Sequence, residues 1–157
     1  SLERAGKLGA VITQNIDGLH QKAGSKTVLE LHGNVNRNYC MKCKKSFSMR
    51  DIIAKSGVPK CDCGGMIKPD VVLYGEGLDE KVLRAAITQV SRADTLIIGG
   101  TSLAVYPAAG LMDYFSGRNL VVLNLSPTAR DTHAALSIRA PIAQVLRRAV
   151  LEDPQYS

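Results

Sequence analysis

The chain has 157 residues, with 20 Lys+Arg against 14 Asp+Glu for a formal net charge of +6, and is 45% apolar and 22% charged. This ordinary globular usage excludes a disordered tail, a collagen-like repeat and a coiled coil, and the length suits one domain with a sizeable core. Aromatics are only 4% and Trp is absent, so that core must be built from Leu, Ile, Val and Ala. No apolar run nears the roughly 18 residues that read as a membrane span, and Ser1-Leu2-Glu3-Arg4 lacks the order of a secretory signal. The first residue is not Met, and we take Ser1 not to be a native start. The four cysteines therefore read as intracellular thiols, and the expected location is the cytoplasm.

In chain order, Glu3 to Lys7 reads as the last turn of a helix, with Gly9 after it. Ala10-Val11-Ile12-Thr13 is a strand-sized apolar run that stops at Gln14-Asn15-Ile16-Asp17-Gly18, and Val28-Leu29-Glu30-Leu31 is a second that stops at His32-Gly33-Asn34. From Tyr39 to Lys68 the composition shifts to Cys, Gly and Lys with little periodicity, as in an insertion. Val82, Leu83, Ala86, Ile87 and Val90 form one face of a helix over Asp79 to Ala93, with Asp79 or Glu80 suited to its first turn. Thr95-Leu96-Ile97-Ile98 is a third strand, Pro107 to Phe115 a helix with Gly117 past its end, and Leu120 to Leu123 a fourth strand. Pro141 to Val150 reads as a closing helix and Glu152 to Ser157 as a frayed end.

Strands that are continuous apolar runs, alternating with helices, indicate parallel strands covered on both faces. Those ending near Thr13, Ile98 and Leu123 each stop at a cluster of Gly, Asn, Ser, Thr or Asp. In an open α/β sheet the ligand lies beyond the carboxyl ends of the strands, and small hydroxyls, amides and free N–H groups there suit a nucleotide. Loops of this kind are rich in the same residues without any ligand, but three on matching ends favour a site.

The cysteines run Cys40-x2-Cys43, 17 residues, Cys61-x-Cys63, followed by Gly64-Gly65. Two paired knuckles give the four soft, tetrahedral ligands of a structural zinc site with no open position for chemistry. A redox pair fits the intracellular setting less well. Arg37, Lys42, Lys44, Lys45 and Arg50 surround the module, as in zinc ribbons that bind nucleic acid. With Tyr39 and Phe47 the only aromatics nearby, they read as a solvated charged face instead.

Thr13-Gln14-Asn15-Ile16-Asp17-Gly18-Leu19-His20, Leu31-His32-Gly33, the two cysteine pairs, Pro69-Asp70-Val71-Val72-Leu73-Tyr74-Gly75-Glu76, Gly100-Thr101-Ser102-Leu103-Ala104-Val105-Tyr106-Pro107 and Asn124-Leu125-Ser126-Pro127-Thr128 together resemble the sirtuins. The motifs stand in the family's order from about Leu8 to Leu146. The resemblance implies an NAD-dependent protein-lysine deacylase, acetyl by default, with a Rossmann-like parallel sheet and an inserted zinc-ribbon module. Segments 1–36 and 70–157 would form the Rossmann-like part and 37–69 the zinc module. It implies His32 as the base acting on the ribose hydroxyls, and an imidazole has the pKa for that task. In the family reaction the acyl-lysine carbonyl oxygen displaces nicotinamide. The activated hydroxyl then attacks the resulting imidate, and water completes its breakdown to free lysine and O-acyl-ADP-ribose. Asn15 would order ribose and water, Ile16 and Asp17 would hold the carboxamide, and Gln14 would touch ribose. Gly100, Thr101 and Ser102 would cradle ribose and phosphate, with Asn124 and Ser126 at the adenosine end. Val72, Tyr74, Gly75 and Glu76, with Val105, would supply two strands that hold the acylated peptide, and Tyr74 stands where phenylalanine is commoner. Cys40, Cys43, Cys61 and Cys63 would hold the zinc. His20 and His133 read as surface or capping residues.

The family's opening strand, its Gly-Ala-Gly-x-Ser turn and its Gly-Ile-Pro-x-Phe-Arg segment have no match here, so the expected sheet is incomplete and the isolated chain is expected to be weakly stable and weakly active or inactive. Partners expected are an acylated-lysine protein or peptide, with neither membrane nor nucleic acid. Two further functions fit the same residues: a non-catalytic zinc-ribbon module that binds a partner or nucleic acid, and protein ADP-ribosyl transfer on the same fold.

Overall fold

The computed structural model describes residues 1–152; of the chain end expected to fray, 153–157 lie outside the described residues. The chain divides into two units, one spanning Val11–Val82 and the other made of Ser1–Ala10 with the chain from Leu83 onward.

In the Val11–Val82 unit, β1 (Val11–Thr13) and β2 (Val28–Glu30) pair in parallel, Val11 opposite Val28 and Thr13 opposite Glu30. Both come from the apolar runs expected as strands. Between them lies α1 (Leu19–Lys22), opened by the Leu19 N–H donating to Asp17 Oδ1 at 2.9 Å. A carboxylate suits that place because the first helical N–H groups have no partner within the helix.

β3 (Gly33–Cys40) then lies between β4 (Ser46–Ser48) and β5 (Ile67–Val71) in an antiparallel sheet. The sequence here shows little periodicity because buried positions of β3 are taken by Asn34, Asn38 and Cys40, not by aliphatic residues. The β3–β5 register shifts between Asn34 and Asn38, and in that gap the Val35 N–H turns to the Ile16 carbonyl oxygen at 2.9 Å. α2 (Met49–Ile53) opens with a reciprocal cap. The Asp51 N–H donates to Ser48 Oγ at 3.3 Å and the Ser48 N–H to Asp51 Oδ2 at 2.7 Å. Phe47 and Ile52 pack on a small core of Cys40, Cys61 and Ile67.

The other unit opens with a helical turn closed by paired bonds from Lys7 N–H to Leu2 O, 2.9 Å, and from Gly6 N–H to Glu3 O, 3.0 Å. That pair is a helix C-terminus, placed at Gly6 and not at Gly9. α3 (Glu80–Arg92) is capped by Asp79, whose Oδ1 accepts from Lys81 N–H at 2.7 Å and Val82 N–H at 3.1 Å, and it buries Ala86 and Val90. β6 (Thr95–Gly99), β7 (Asn119–Leu123) and β8 (Leu136–Ile138) form a parallel sheet in that order. β7 is central, and Leu120, Val122 and Leu123 are accordingly buried.

The helix expected over Pro107 to Phe115 is instead a 3₁₀ helix over Ala108–Tyr114. Ala108 and Leu111, three residues apart, share its buried side, which is the spacing a three-residue turn favours. The closing helix is α4 (Ile142–Leu146), which widens into a π-helical turn over Arg147–Leu151. β8 was not expected, because Leu-Ser-Ile is too short and too exposed to stand out as an apolar run.

Candidate active site and metal centre

His32 lies where the chain passes from β2 to β3. Its ring is half-buried, and Nδ1 sits 3.0 Å from the Gln14 carbonyl oxygen in the loop after β1. A carbonyl oxygen only accepts, so Nδ1 must carry the hydrogen; in the neutral imidazole that leaves Nε2 with its lone pair. The His32 carbonyl in turn accepts from Val72 N–H at 3.0 Å, which ties the histidine backbone to the end of β5. Gly33 follows with φ +77°, and a Cβ there would overlap the Asp70 carbonyl oxygen. Only glycine lets the chain turn so tightly against β5 beside the histidine.

The loop that carries Gln14, Asn15, Ile16 and Asp17 is fixed by its backbone. Asn15 N–H donates to Thr13 Oγ1 at 3.0 Å, and the Ile16 carbonyl takes Val35 N–H. The Asp17 carbonyl accepts from Asn36 Nδ2 at 3.2 Å. With the carbonyls so engaged, the Asn15 and Asp17 side chains stay exposed.

Behind this loop stands a polar network that the sequence reading did not single out. Asn34 Oδ1 accepts from both Asn36 N–H, 2.9 Å, and Asn36 Nδ2, 3.0 Å, and its Nδ2 donates to Glu30. Glu30, whose side chain is 8% exposed, also accepts from Gln21 Nε2 at 2.7 Å and from Arg37 Nη1 at 2.6 Å, and Arg37 Nε reaches Asp70 Oδ2 at 2.8 Å. Burial alone would push the Glu30 carboxyl up, but the bonds from Arg37, Asn34 and Gln21 outweigh it and hold it below its ordinary 4.5. Arg37 is thus tied to two carboxylates instead of belonging to a freely solvated basic face. The available signal was a lone carboxylate, Glu30, between Leu29 and Leu31 in an apolar run.

The four cysteine sulfurs all lie within 4.8 Å of one another, with Cys40 to Cys63 at 3.5 Å and Cys43 to Cys61 at 3.6 Å. Zn–S bonds of ~2.3 Å in a tetrahedron require sulfurs about 3.8 Å apart, so the four cysteines are arranged to hold a zinc ion. The knuckles are made by Lys44 N–H to Cys40 O at 3.0 Å and Gly64 N–H to Cys61 O at 2.8 Å. A Cβ on Gly65 would stand 2.6 Å from Cys40 Sγ, so that position has no room for a side chain. The Cys43 N–H pulls the Cys40 thiol down to about 6. The Lys45 N–H acts likewise on Cys43, but the neighbouring Cys63 and Cys40 sulfurs outweigh it and push that thiol up to about 11. A divalent cation held by the four sulfurs would balance the charge of their thiolates.

In the other unit, Gly99 pairs with Leu123, so Gly100–Ser102 and Asn124–Ser126 follow matching carboxyl ends of adjacent parallel strands. Gly100 N–H donates to Leu123 O at 3.2 Å, Thr101 Oγ1 accepts from Leu103 N–H at 3.2 Å, and Asn124 Nδ2 donates to Ser126 O at 2.9 Å. Gly100 has φ +63° and nothing within 4 Å of where a Cβ would stand. Val105 is exposed in a bend and its carbonyl accepts Ala109 N–H at 2.9 Å. Val72 to Glu76 is not a strand. After Val72 the chain turns, with Glu76 N–H to Leu73 O at 3.0 Å and Tyr74 fully exposed. The Glu76 carboxylate bends back to Lys68 and Leu73 N–H instead of pointing outward.

Parallel strands alternating with helices, and four cysteines arranged to hold a zinc ion, define an α/β protein with a candidate metal centre. Residues 1–107 match the Sir2 family, and the chain belongs to it. An NAD-dependent protein deacetylase of Clostridium acetobutylicum is 56% identical over 151 residues, covering 95% of this chain and 62% of that protein. One of Clostridium perfringens is 58% identical with the same coverage of each. The chain thus spans about 62% of the length of these relatives. Among solved structures, a Sir2–p53 peptide–NAD+ complex aligns at TM-score 0.90 and 47% identity, over 96% of this chain and 65% of that one. A Sir2 bound to acetylated peptide aligns at 0.89 and 43%, over 99% and 68%. No helix among the described residues is long and apolar enough to cross a membrane.

Proposed function

We propose that this protein removes acyl groups, acetyl in the first instance, from protein lysines at the expense of NAD, giving nicotinamide and O-acyl-ADP-ribose. The observation that carries the reading is the His32 Nδ1 to Gln14 carbonyl contact of 3.0 Å, because it leaves Nε2 able to take a proton. Relatives called NAD-dependent protein deacetylase, and neighbours described with NAD or acetylated peptide, support it.

NAD supplies, when bound, an electrophilic ribose carbon and a nicotinamide leaving group. The chain's residues do the rest. His32 Nε2 accepts the proton of a ribose hydroxyl, and Asn15 orders the ribose and its water. Ile16 and Asp17 hold the carboxamide, and Gln14 contacts ribose. Gly100, Thr101 and Ser102 hold ribose and phosphate through an open backbone, and Asn124 with Ser126 holds the adenosine end. Val72, Tyr74, Gly75, Glu76 and Val105 take up the acylated peptide through main-chain bonds, which give affinity with little demand on sequence. Zinc on Cys40, Cys43, Cys61 and Cys63 shapes the module we assign to 37–69, flanked by 1–36 and 70–157 as the nucleotide-binding part. Four free thiols grouped for a metal suit the cytoplasm.

The test is incubation of zinc-loaded protein with an acetyl-lysine peptide, with and without NAD, followed by mass spectrometry. Loss of the acetyl group only when NAD is present supports the reading. An unchanged peptide in both, from protein that retains zinc and binds both NAD and the peptide, contradicts it.

A further inference from the structure

Lys68 stands on β5 opposite Tyr39 of β3, with a side chain only 14% exposed. Its Nζ donates to the Val71 carbonyl oxygen at 2.9 Å and to Glu76 Oε2 at 2.8 Å. The same Glu76 oxygen accepts Leu73 N–H at 2.9 Å, and Glu76 N–H returns to Leu73 O at 3.0 Å. The Val71 carbonyl and the Leu73 N–H therefore converge on one ammonium–carboxylate pair. Around it the chain changes from strand to turn, and Tyr74 and Gly75 form an exposed tip.

We propose that Lys68 is a positioning residue for the acyl-lysine peptide: locked to Glu76, its ammonium sets the backbone course of Leu73–Glu76, the segment to which the peptide adds. The inference rests on the function proposed above. Leu73 N–H and O are spent inside the turn, so the peptide is left the main-chain groups of the exposed tip, and ordering a loose segment at the moment of binding would weaken the complex. An exposed ion pair would do this poorly, since solvent screens it and side-chain entropy opposes it. Here the lysine is largely buried, the Glu76 side chain is 43% exposed, and each partner has a second bond to backbone. The pair also stays charged around neutral pH. The bond to Glu76 holds Lys68 above its ordinary 10.5, and the bond from Lys68 holds Glu76 below its ordinary 4.5. Arginine could keep the charge and reach both oxygens, whereas methionine keeps the length and loses every donor.

The experiment compares wild type, Lys68→Met and Lys68→Arg as zinc-loaded protein. It reads acetyl-lysine peptide Kd by calorimetry without NAD, KM and kcat for peptide, KM for NAD, and hydrogen exchange at the Leu73 amide. Lys68→Met should raise peptide Kd and KM by roughly tenfold, move kcat and the NAD KM by less than about twofold, and speed Leu73 exchange by about tenfold. Lys68→Arg should restore most of each. Should Lys68→Met fail to fold, seen as lost zinc and no cooperative melt, Glu76→Gln takes its place. It keeps an acceptor for the Leu73 N–H but drops the charge, and a peptide Kd raised by about threefold or more is expected. A peptide Kd equal to wild type in the folded variant overturns the inference alone. Wild-type protein that binds no acyl-lysine peptide overturns the proposed function, and this inference with it.

Discussion

His32 Nδ1 and the Gln14 carbonyl oxygen, 3.0 Å apart, join the candidate base to the loop after β1 through a main-chain atom. No side-chain substitution at position 14 removes that acceptor, so the tautomer is a property of the fold. Nitrogen-15 NMR of the neutral imidazole should find Nδ1 protonated and Nε2 bare. The opposite tautomer would leave Nε2 unable to act as base in the neutral ring.

Zinc should be required for the β3–β4–β5 sheet. Cys40 and Cys61 are buried members of its small core, so Cys40→Ser or Cys61→Ser should lose the metal and with it the cooperative melt of this part. Chelation should do the same to wild type. Because the ligands must be thiolates, zinc retention should weaken as pH falls, with proton release on metal binding. Zinc stoichiometry against pH, with melting followed in parallel, checks both points.

The network behind the loop predicts an acid limb of stability. Glu30 is held below its ordinary 4.5 in the folded state. Its contribution is present above that value and is lost as pH falls through the depressed folded pKa. Asp51 and Asp131, lowered from 3.8 chiefly by bonds from Ser48 and Thr128, act with the same sign. Arg37→Met would leave Glu30, 8% exposed, without its cation. The expected cost is about 1–3 kcal/mol, less than for a fully buried pair because Arg37 itself is half exposed. Denaturant melts from pH 7 to 3 should show a shallower acid loss in the variant; parallel curves would refute the assignment.

The alternation of apolar runs and helices made the parallel strands legible, and the cysteine spacing made the metal centre legible. The antiparallel sheet was not, because polar Asn34 and Asn38 fill its buried positions. The same reason hid the Glu30–Arg37–Asp70 network and Lys68. A polar residue reads as surface until its partner is known, and Asp70 and Glu76 are 33 and 8 residues from theirs. Motif residues such as His32 and Asn15 were recognisable by order along the chain, but the carbonyl that sets the histidine tautomer is a main-chain atom 18 residues away and leaves no mark on the residue order.

Gly33→Ala should be severely destabilising. The residue combines φ +77° with a Cβ position that overlaps the Asp70 carbonyl, and strain plus forced separation of β3 from β5 should cost on the order of 3 kcal/mol. His32 is the adjacent residue, so activity should fall even in the fraction that remains folded. Equilibrium unfolding and specific activity per folded molecule read the two effects separately.

The most direct measurement is a comparison of wild type and His32→Ala, both zinc-loaded and equally stable to heat, on acetyl-lysine peptide and NAD with mass-spectrometric identification of every product. Wild type should yield deacetylated peptide, nicotinamide and O-acetyl-ADP-ribose in equal amounts, and His32→Ala should lose roughly 10²–10⁴ in turnover. Turnover by His32→Ala within a few-fold of wild type, or acetate released without an ADP-ribose ester, would contradict His32 as the base.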